Sequence, residues 1–232
     1  SSLQAYAHLI NAISGMMDLD RGGVLEPRAS NLQAADVLAG AHAFGAICAA
    51  LLRRSRSGKG ARLDVSMLEC LVAADDVTYP VLLNGGSIER RPRVGMVVHP
   101  IGDRHVAMQV GSAAQVWPRI VAWLERPDLI DDPRFCTTAA RRGNWDALSV
   151  LLAERLARFP TVDAAVDALR AARIPAAPVL MAEEVVAHPH LAVRQAFPTI
   201  PHPKRGPVKV TATPFQIDGA ATHPAGAAPY RI

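Results

Sequence analysis

Several features are scarce in this 232-residue sequence, and each scarcity excludes a class of protein. Aromatic residues make up 5% of the chain, and no segment interleaves them with basic residues, so a stacking platform for nucleic acid is not predicted. The three cysteines, Cys48, Cys70 and Cys136, are odd in number and far apart, which argues against a disulfide framework or a zinc site. We interpret them as ordinary buried or half-buried thiols in a reducing compartment.

Long apolar runs are missing as well. No run of about 18 uninterrupted apolar residues occurs, and the first twenty positions lack a basic segment followed by an apolar stretch. The sequence therefore predicts no membrane span and no signal peptide, and we expect a cytoplasmic protein. The net charge of +4 arises from 25 Lys and Arg against 21 Asp and Glu, too small an excess to identify an anionic partner. A basic surface facing a phosphorylated ligand stays open.

Hydrophobic residues make up 50% of the chain, enough for a substantial core. In the first third, the apolar stretch from Asp36 to Arg54 predicts a buried helix, because it closes with a basic turn and then Gly58. Alternating apolar and polar residues at 61–67 predict a half-buried strand, and a second apolar helix is expected from Leu68 to Leu83.

An Arg- and Pro-rich segment at residues 87–93 predicts a linker, and a new unit is expected to begin near Gly95. Strands are predicted at 105–110, 208–210 and 215–217, helices at 116–124, 144–158, 161–172 and 183–187, and an extended passage at Pro175 to Pro178. Residues 220–232 are expected to form a tail on the surface. The overall prediction is an α/β or α+β fold with a helical emphasis.

Several motifs occur together in a fixed order. They are Asp36-Val37-Leu38-Ala39-Gly40, Ala49 to Arg54, Ser57 to Glu69, Arg126 to Leu129, Asp131 to Phe135, Arg141 with Asn144, and Ile174 to Val179. In this order and spacing the sequence resembles the family III (CaiB/BaiF-type) CoA transferases over nearly the whole chain.

The resemblance implies a partial large domain of the family III fold, at residues 1–86, that carries the catalytic-aspartate helix. A small α+β domain at 87–190 would follow, and residues 191–232 would return to pack on the large domain. Members of the family begin with a Rossmann-like half that has no counterpart here, so we expect a fragment or a truncated product. The resemblance also implies a homodimer of interlocked chains, with acyl-CoA and a carboxylic acid as small-molecule partners and coenzyme A as the carried group.

By this resemblance, Asp36 is the catalytic nucleophile. A carboxylate at the start of a helix lies at the positive end of the macrodipole, beside N–H groups that can bind an oxyanion. Attack on an acyl-CoA thioester would form an aspartyl anhydride and release CoA. Small neighbours, among them Ala35 and Gly40, would let the thioester approach the backbone. The competing interpretation is that Asp36 is only a helix N-cap.

Tyr6 is the second candidate, because the resemblance places it in the acyl pocket shortly before Ser14-Gly15. The related α-methylacyl-CoA racemases have a histidine at this position, and tyrosine is a poor general base near neutral pH. A racemase-like enzyme is therefore disfavoured, although His8 and His42 keep it open. A non-catalytic homologue is the third alternative.

Two histidine-containing segments receive no catalytic or metal role. His99-Pro100 looks superficially like the family's active-site loop, but the residues after it favour a hairpin, and that loop is several residues shorter here. His188-Pro189-His190 is the closest histidine pair, and its proline favours a structural role, so no metal site is predicted.

Overall fold

The chain divides into two structural units. A computed structural model describes residues 5–20, 26–29, 31–75, 78–88, 95–110, 115–222 and 226. Unit 1 comprises residues 1–95 and unit 2 comprises residues 96–232. The three-part division predicted at residues 86 and 190 stays a prediction, and most of the predicted tail at 220–232 lies outside the described residues.

Unit 1 is helical in its described part. Its helices are α1 (Ala7–Ile13), α2 (Met16–Asp20), α3 (Ala34–Ser57), α4 (Met67–Ala73) and α5 (Thr78–Leu83). Helix α3 confirms the long helix predicted from the sequence, but the prediction that it is buried within this chain is wrong. The helix ends where Gly58 adopts a left-handed conformation with φ 69°. Helices α1, α3 and α4 pack against one another.

The strand predicted at residues 61–67 is wrong. Residues 59–66 form neither helix nor strand, and α4 begins at Met67, where the Ser66 side chain accepts a hydrogen bond from the Glu69 N–H. The alternating pattern fits an extended chain, but no neighbouring strand among the described residues supplies a hydrogen-bonding partner. The predicted helix from Leu68 to Leu83 consists of α4 and α5, with residues 76 and 77 outside the described part.

Most of α3 is open to solvent within this chain. Only 6% of its apolar window is buried, and Phe44, Ile47 and Leu51 are 63%, 48% and 47% exposed. By length and composition alone, this helix could cross a membrane, and the core helix of a water-soluble protein meets the same criterion. The sequence-based prediction of no membrane span stays a prediction.

Unit 2 combines a small sheet with helices. Its elements are β1 (Met96–Ile101), β2 (Arg104–Gln109), α6 (Trp117–Leu124), a 3-10 turn (Pro127–Leu129), α7 (Thr138–Gly143), α8 (Trp145–Leu156), α9 (Val162–Ala171), β3 (Ala176–Pro178), α10 (Ala182–Val186), α11 (Pro189–Val193), β4 (Thr199–His202), β5 (Gly206–Lys209), β6 (Gln216–Ile217) and β7 (Ala220–Ala221). The strands β1, β2 and β3 form an antiparallel sheet in that order, and β4–β5 and β6–β7 form separate pairs. The helices predicted at 116–124, 144–158, 161–172 and 183–187 and the strand predicted at 105–110 are confirmed.

The core of unit 2 lies between this sheet and helices α6, α8 and α9. Leu148, Leu152, Leu156 and Leu169 are fully buried there, on faces set by helical periodicity. Arg141 is also buried, at 6% exposure, and donates from Nη1 to the Phe135 carbonyl at 2.7 Å. Its guanidinium lies 4.8 Å from the centre of the Trp117 ring, so a charged group is held inside the core by a hydrogen bond and a cation–π contact.

The segment around His99 is a hairpin. His99 and Pro100 lie within β1, and residues 102 and 103 form the turn to β2. The hairpin predicted after His99-Pro100 is confirmed, and these two residues belong to its first strand.

Candidate functional site

Asp36 lies in the first turn of α3, two residues after the helix begins. The N-cap is Gln33, whose side chain makes no capping hydrogen bond, and Asp36 itself is exposed. The alternative prediction that Asp36 is the N-cap is therefore wrong, because the N-cap lies three residues earlier in the chain. Its carboxylate is left open to solvent at the positive end of a 24-residue helix.

The first turn of α3 also offers hydrogen-bond donors. The first N–H bonded to the preceding turn is that of Val37, which reaches the Gln33 carbonyl at 3.0 Å. The N–H groups of Ala34, Ala35 and Asp36 precede it, and the first turn of a helix has no intrahelical acceptor for such groups. A carboxylate and main-chain donors therefore occur on one helical turn.

The two small residues assigned to the site lie in different surroundings. Ala35 is 0% exposed and belongs to one buried hydrophobic cluster with Ala7, Ile10 and Leu71. Only its main chain is therefore available to a ligand in this arrangement. Gly40 lies one turn after Asp36 on the same face of α3 and is exposed, and a Cβ built there would meet no atom within 4 Å. The described residues leave room beside Gly40 for a further molecule.

Tyr6 is the N-cap residue of α1 and is 64% exposed. Helix α1 packs against α3, through Ala7 and Ile10 on one side and Ala35 on the other. Tyr6 and Asp36 therefore belong to two contacting helices, near the N-terminus of each. Each of the two residues adjoins in sequence a member of one hydrophobic cluster, Ala7 next to Tyr6 and Ala35 next to Asp36.

Sequence reasoning did not predict the hydrogen bonds that join Ser14, at the end of α1, to Asn11 and to Tyr79 of α5. Ser14 is 5% exposed, and its hydroxyl donates to the Asn11 carbonyl at 3.1 Å. The hydroxyl of Tyr79 on α5 donates to the Ser14 carbonyl, and burial together with Asp75 raises the pKa of Tyr79. Gly15 has φ +82°, and a Cβ there would stand 3.4 Å from the Tyr79 hydroxyl. The Ser-Gly pair was the only sequence signal for this contact, which joins residues 65 positions apart.

His42 and His188 have structural contacts in this chain, whereas His8 is an exposed residue of α1. The His42 ring Nδ1 lies 2.8 Å from the Leu38 carbonyl on the same helix. His188 caps α11, because its Nδ1 accepts from the His190 N–H at 3.1 Å. Within the described ranges, no group of three or more His, Cys, Asp or Glu side chains is placed to hold a metal ion.

Chemically, the first turn of α3 suits nucleophilic attack on a carbonyl. An accessible carboxylate can add to an electrophilic acyl carbon, and nearby N–H groups stabilise the negative oxygen that develops. Metal ions and imidazole bases are not needed for such a step.

A profile described as "CoA-transferase family III" matches residues 1–231 of the chain. The formyl-CoA:oxalate CoA-transferase of Streptomyces avermitilis is 27% identical, with 94% of this chain and 58% of that protein covered. The acetyl-CoA:oxalate CoA-transferase of Acetobacter aceti is 28% identical, with 93% and 55% covered. The human succinyl-CoA:glutarate CoA-transferase is 23% identical, with 90% and 49% covered.

Solved structures show the same fold. A CaiB/BaiF family protein from Brucella suis has a TM-score of 0.73 at 25% identity, over 97% of this chain and 60% of that one. Rv3272 from Mycobacterium tuberculosis has a TM-score of 0.79 at 22% identity, over 98% and 62%. The chain thus spans between about half and three fifths of the length of the proteins it resembles.

Proposed function

Because the chain belongs to CoA-transferase family III, we propose that it transfers coenzyme A from an acyl-CoA to a carboxylic acid, with Asp36 as the nucleophile. The observation that carries this proposal is the exposed carboxylate of Asp36 on a helical turn whose N–H groups have no intrahelical acceptor. The relatives named for oxalate and glutarate support a carboxylic acid as the acceptor.

The first step forms a bond between a carboxylate oxygen of Asp36 and the acyl carbon of the thioester. The carbon–sulfur bond breaks, which leaves an acyl-aspartyl anhydride and the CoA thiolate. The N–H groups of the α3 first turn would bind the oxyanion formed in between. These N–H groups stabilise the oxyanion effectively because the helix orients them before the reaction begins.

The later steps transfer CoA to the acceptor acid and regenerate the Asp36 carboxylate. The thiolate attacks the Asp36 acyl carbon, which releases the donor acid and leaves an Asp36–CoA thioester. The acceptor carboxylate then attacks this thioester and forms a second anhydride with release of the thiolate. Attack of the thiolate on the acceptor's acyl carbon completes the transfer and restores the Asp36 carboxylate.

An anhydride must be kept from water, and Asp36 is exposed in this chain alone. Gly40, Phe44, Ile47 and Leu51 continue the face of α3 that begins at Asp36, and the last three are apolar and exposed. We propose that this face is covered by further protein in a homodimer, which would also close the site. An exposed apolar stripe of this kind is typical of a protein interface.

The two alternatives lack a supporting observation of this kind. A racemase needs a general base beside the substrate's α-carbon. The His42 ring contacts the carbonyl of Leu38 on its own helix, and His8 is exposed on α1 with no contact that assigns it such a role among the described residues. A non-catalytic homologue would bind acyl-CoA without turnover. The cytoplasmic location stays a prediction.

Hydroxylamine trapping tests the proposal. The full-length protein is incubated with a panel of acyl-CoAs and hydroxylamine, and the peptide that contains Asp36 is weighed by mass spectrometry. We expect a hydroxamate at Asp36 and release of free CoA in the wild type, and neither in Asp36→Asn. The matched control is Asp64→Asn, another exposed carboxylate of unit 1, which should react like the wild type.

Absence of the adduct with an acyl-CoA that demonstrably binds would refute Asp36 as the nucleophile. Exchange of the substrate's α-proton with deuterated solvent in that case would favour the racemase-like alternative. Binding with neither reaction would favour a non-catalytic protein.

A further inference from the structure

Asn11 is a polar residue on the buried face of α1. It is 4% exposed and shares this face with Ala7 and Ile10. Ala7 and Ile10 pack against Ala35 in the first turn of α3 and against Leu71 on α4. The Asn11 side chain therefore lies on the face of α1 that packs toward α3 and α4.

The carboxamide oxygen of Asn11 has no hydrogen-bond partner among the described residues. Its polar neighbours are satisfied, since the Ser14 hydroxyl donates to the Asn11 carbonyl and the Tyr79 hydroxyl donates to the Ser14 carbonyl. A buried acceptor without a donor destabilises a fold. An apolar side chain of similar volume would avoid that cost at the oxygen.

The first turn of α3 has hydrogen-bond donors without intrahelical acceptors. The N–H groups of Ala34, Ala35 and Asp36 precede the first intrahelical bond of α3, and Gln33 supplies no side-chain cap. An acceptor without a donor on α1 and donors without intrahelical acceptors on α3 thus belong to two helices in contact. One ordered water can join such groups when they do not meet directly.

We propose that Asn11 is a positioning residue for the reaction at Asp36. Its carboxamide oxygen accepts a hydrogen bond through one water from one N–H of the first turn of α3, and so holds in place the turn whose remaining N–H groups bind the oxyanion. Asn11 acts through the main chain rather than on the substrate, because its oxygen is buried. This inference rests on the proposed function, since it concerns the same reaction.

The test compares Asn11→Leu, Asn11→Gln and Ser14→Ala with the wild type in the full-length protein. Two quantities are measured for each: the melting temperature, and the rate of hydroxamate formation at Asp36 as a function of acyl-CoA concentration. For Asn11→Leu we expect an unchanged or higher melting temperature and a maximal rate lower by about 10- to 100-fold, with a nearly unchanged half-saturating concentration. Asn11→Gln should recover part of the rate.

Ser14→Ala is the matched control, because it removes a buried polar group that is already satisfied. It should lower the melting temperature and keep the rate within about twofold at temperatures where the protein is folded. A purely structural Asn11 would behave in the same way as Ser14.

Each outcome has a distinct meaning. A lower melting temperature in Asn11→Leu, or a rate within about twofold of the wild type, overturns the positioning role while the wild-type adduct upholds the proposed function. A wild type that never forms the adduct refutes the proposed function, and the positioning role falls with it.

Discussion

The two units of this chain differ most in what they bury. Unit 2 has a core of 21 buried residues, whereas the corresponding cluster of unit 1 in the described part has four, Ala7, Ile10, Ala35 and Leu71. The longest helix of the chain, α3, belongs to unit 1 and leaves most of its apolar surface exposed. Unit 2 therefore has its own stabilising core. Unit 1 has exposed apolar surface that further protein could cover.

The candidate nucleophile lies in the less buried unit. Asp36 is at the start of the exposed stripe of α3, so the surface that would bind a partner and the surface that would bind acyl-CoA are continuous. This difference between the units predicts where substitutions affect chemistry and where they affect stability.

The largest effect is expected from Asp36→Ala in unit 1. Loss of the nucleophile should lower the rate of CoA transfer by about 1000-fold or more, because no other carboxylate occupies its turn. The thermal unfolding of the protein should change little, since Asp36 is exposed and its dipole interaction contributes about 0.3–1 kcal/mol. Enzyme assays and calorimetry on the same preparation check both statements.

In unit 2, substitutions in the core are expected to lower the free energy of unfolding. Leu152→Ala removes a fully buried side chain from the core, and we expect the free energy of unfolding to fall by about 2–5 kcal/mol. The matched substitution in unit 1 is Leu52→Ala, at a position 57% exposed, which should change it by less than about 0.5 kcal/mol in the chain alone. Denaturant titration measures both, and equal losses would remove the distinction between the units.

Arg141 tests the polar part of the unit 2 core. Arg141→Ala should cost about 3 kcal/mol, because it removes the bond to Phe135, a bond to Thr138 Oγ1 at 3.1 Å, and the stacking on Trp117. Arg141→Lys keeps the charge but not the fork of donors, so it should recover only part of the loss. Full recovery by lysine, seen in denaturant titration, would show that charge alone is required.

The exposed stripe of α3 can be tested by adding a charge. Phe44→Glu should weaken self-association of the full-length protein at least tenfold, because it introduces a carboxylate into a desolvated interface. Analytical ultracentrifugation over a concentration series gives the association constant. Lys59→Glu, at an exposed position beyond the end of the helix, is the control, and an unchanged constant in both variants would reject the stripe as the dimer interface.

The smallest effect is expected from His99 in unit 2. Burial and the nearby His105 lower the pKa of His99, so the folded state favours its neutral form. Its contribution to stability is therefore complete above about pH 6.5 and is lost as the pH falls through the lower pKa of the folded state. His99→Gln should flatten the stability profile in this range, measured as midpoints of urea denaturation from pH 7 to pH 4.5. An unchanged profile would assign the pH dependence to other groups.

The sequence predicted best the elements whose signal is local. Helix α3 and strand β2 each show a complete periodicity, and α3 also has its basic end and Gly58. The first strand of the predicted hairpin, β1, was given no bounds from the sequence, because Met96–Ile101 contains Pro100 and its residue types do not alternate between apolar and polar. The strand wrongly predicted at 61–67 has alternation but no partner, and strand formation depends on a partner that local sequence does not show.

The candidate site was predictable only in part. Asp36 could be found because its motif stands in a recognisable order with others, although the helix begins two residues before it, at Ala34. The burial of Ala35 and the contact of Tyr79 with Ser14 arise from packing between distant segments. Asn11 gave no sequence signal at all, because a buried asparagine is distinguished from an exposed one only when its neighbours are known.

The most direct test of Asp36 as the nucleophile follows the oxygen atoms. The wild-type protein turns over an acyl-CoA with a panel of acceptor acids, oxalate and glutarate among them, labelled with oxygen-18 in their carboxylates. The route through two anhydrides leaves one acceptor oxygen on the Asp36 side chain, so the peptide that contains Asp36 should gain about 2 Da per label incorporated. Turnover without label in that peptide, or with label on another residue, would contradict Asp36 as the nucleophile.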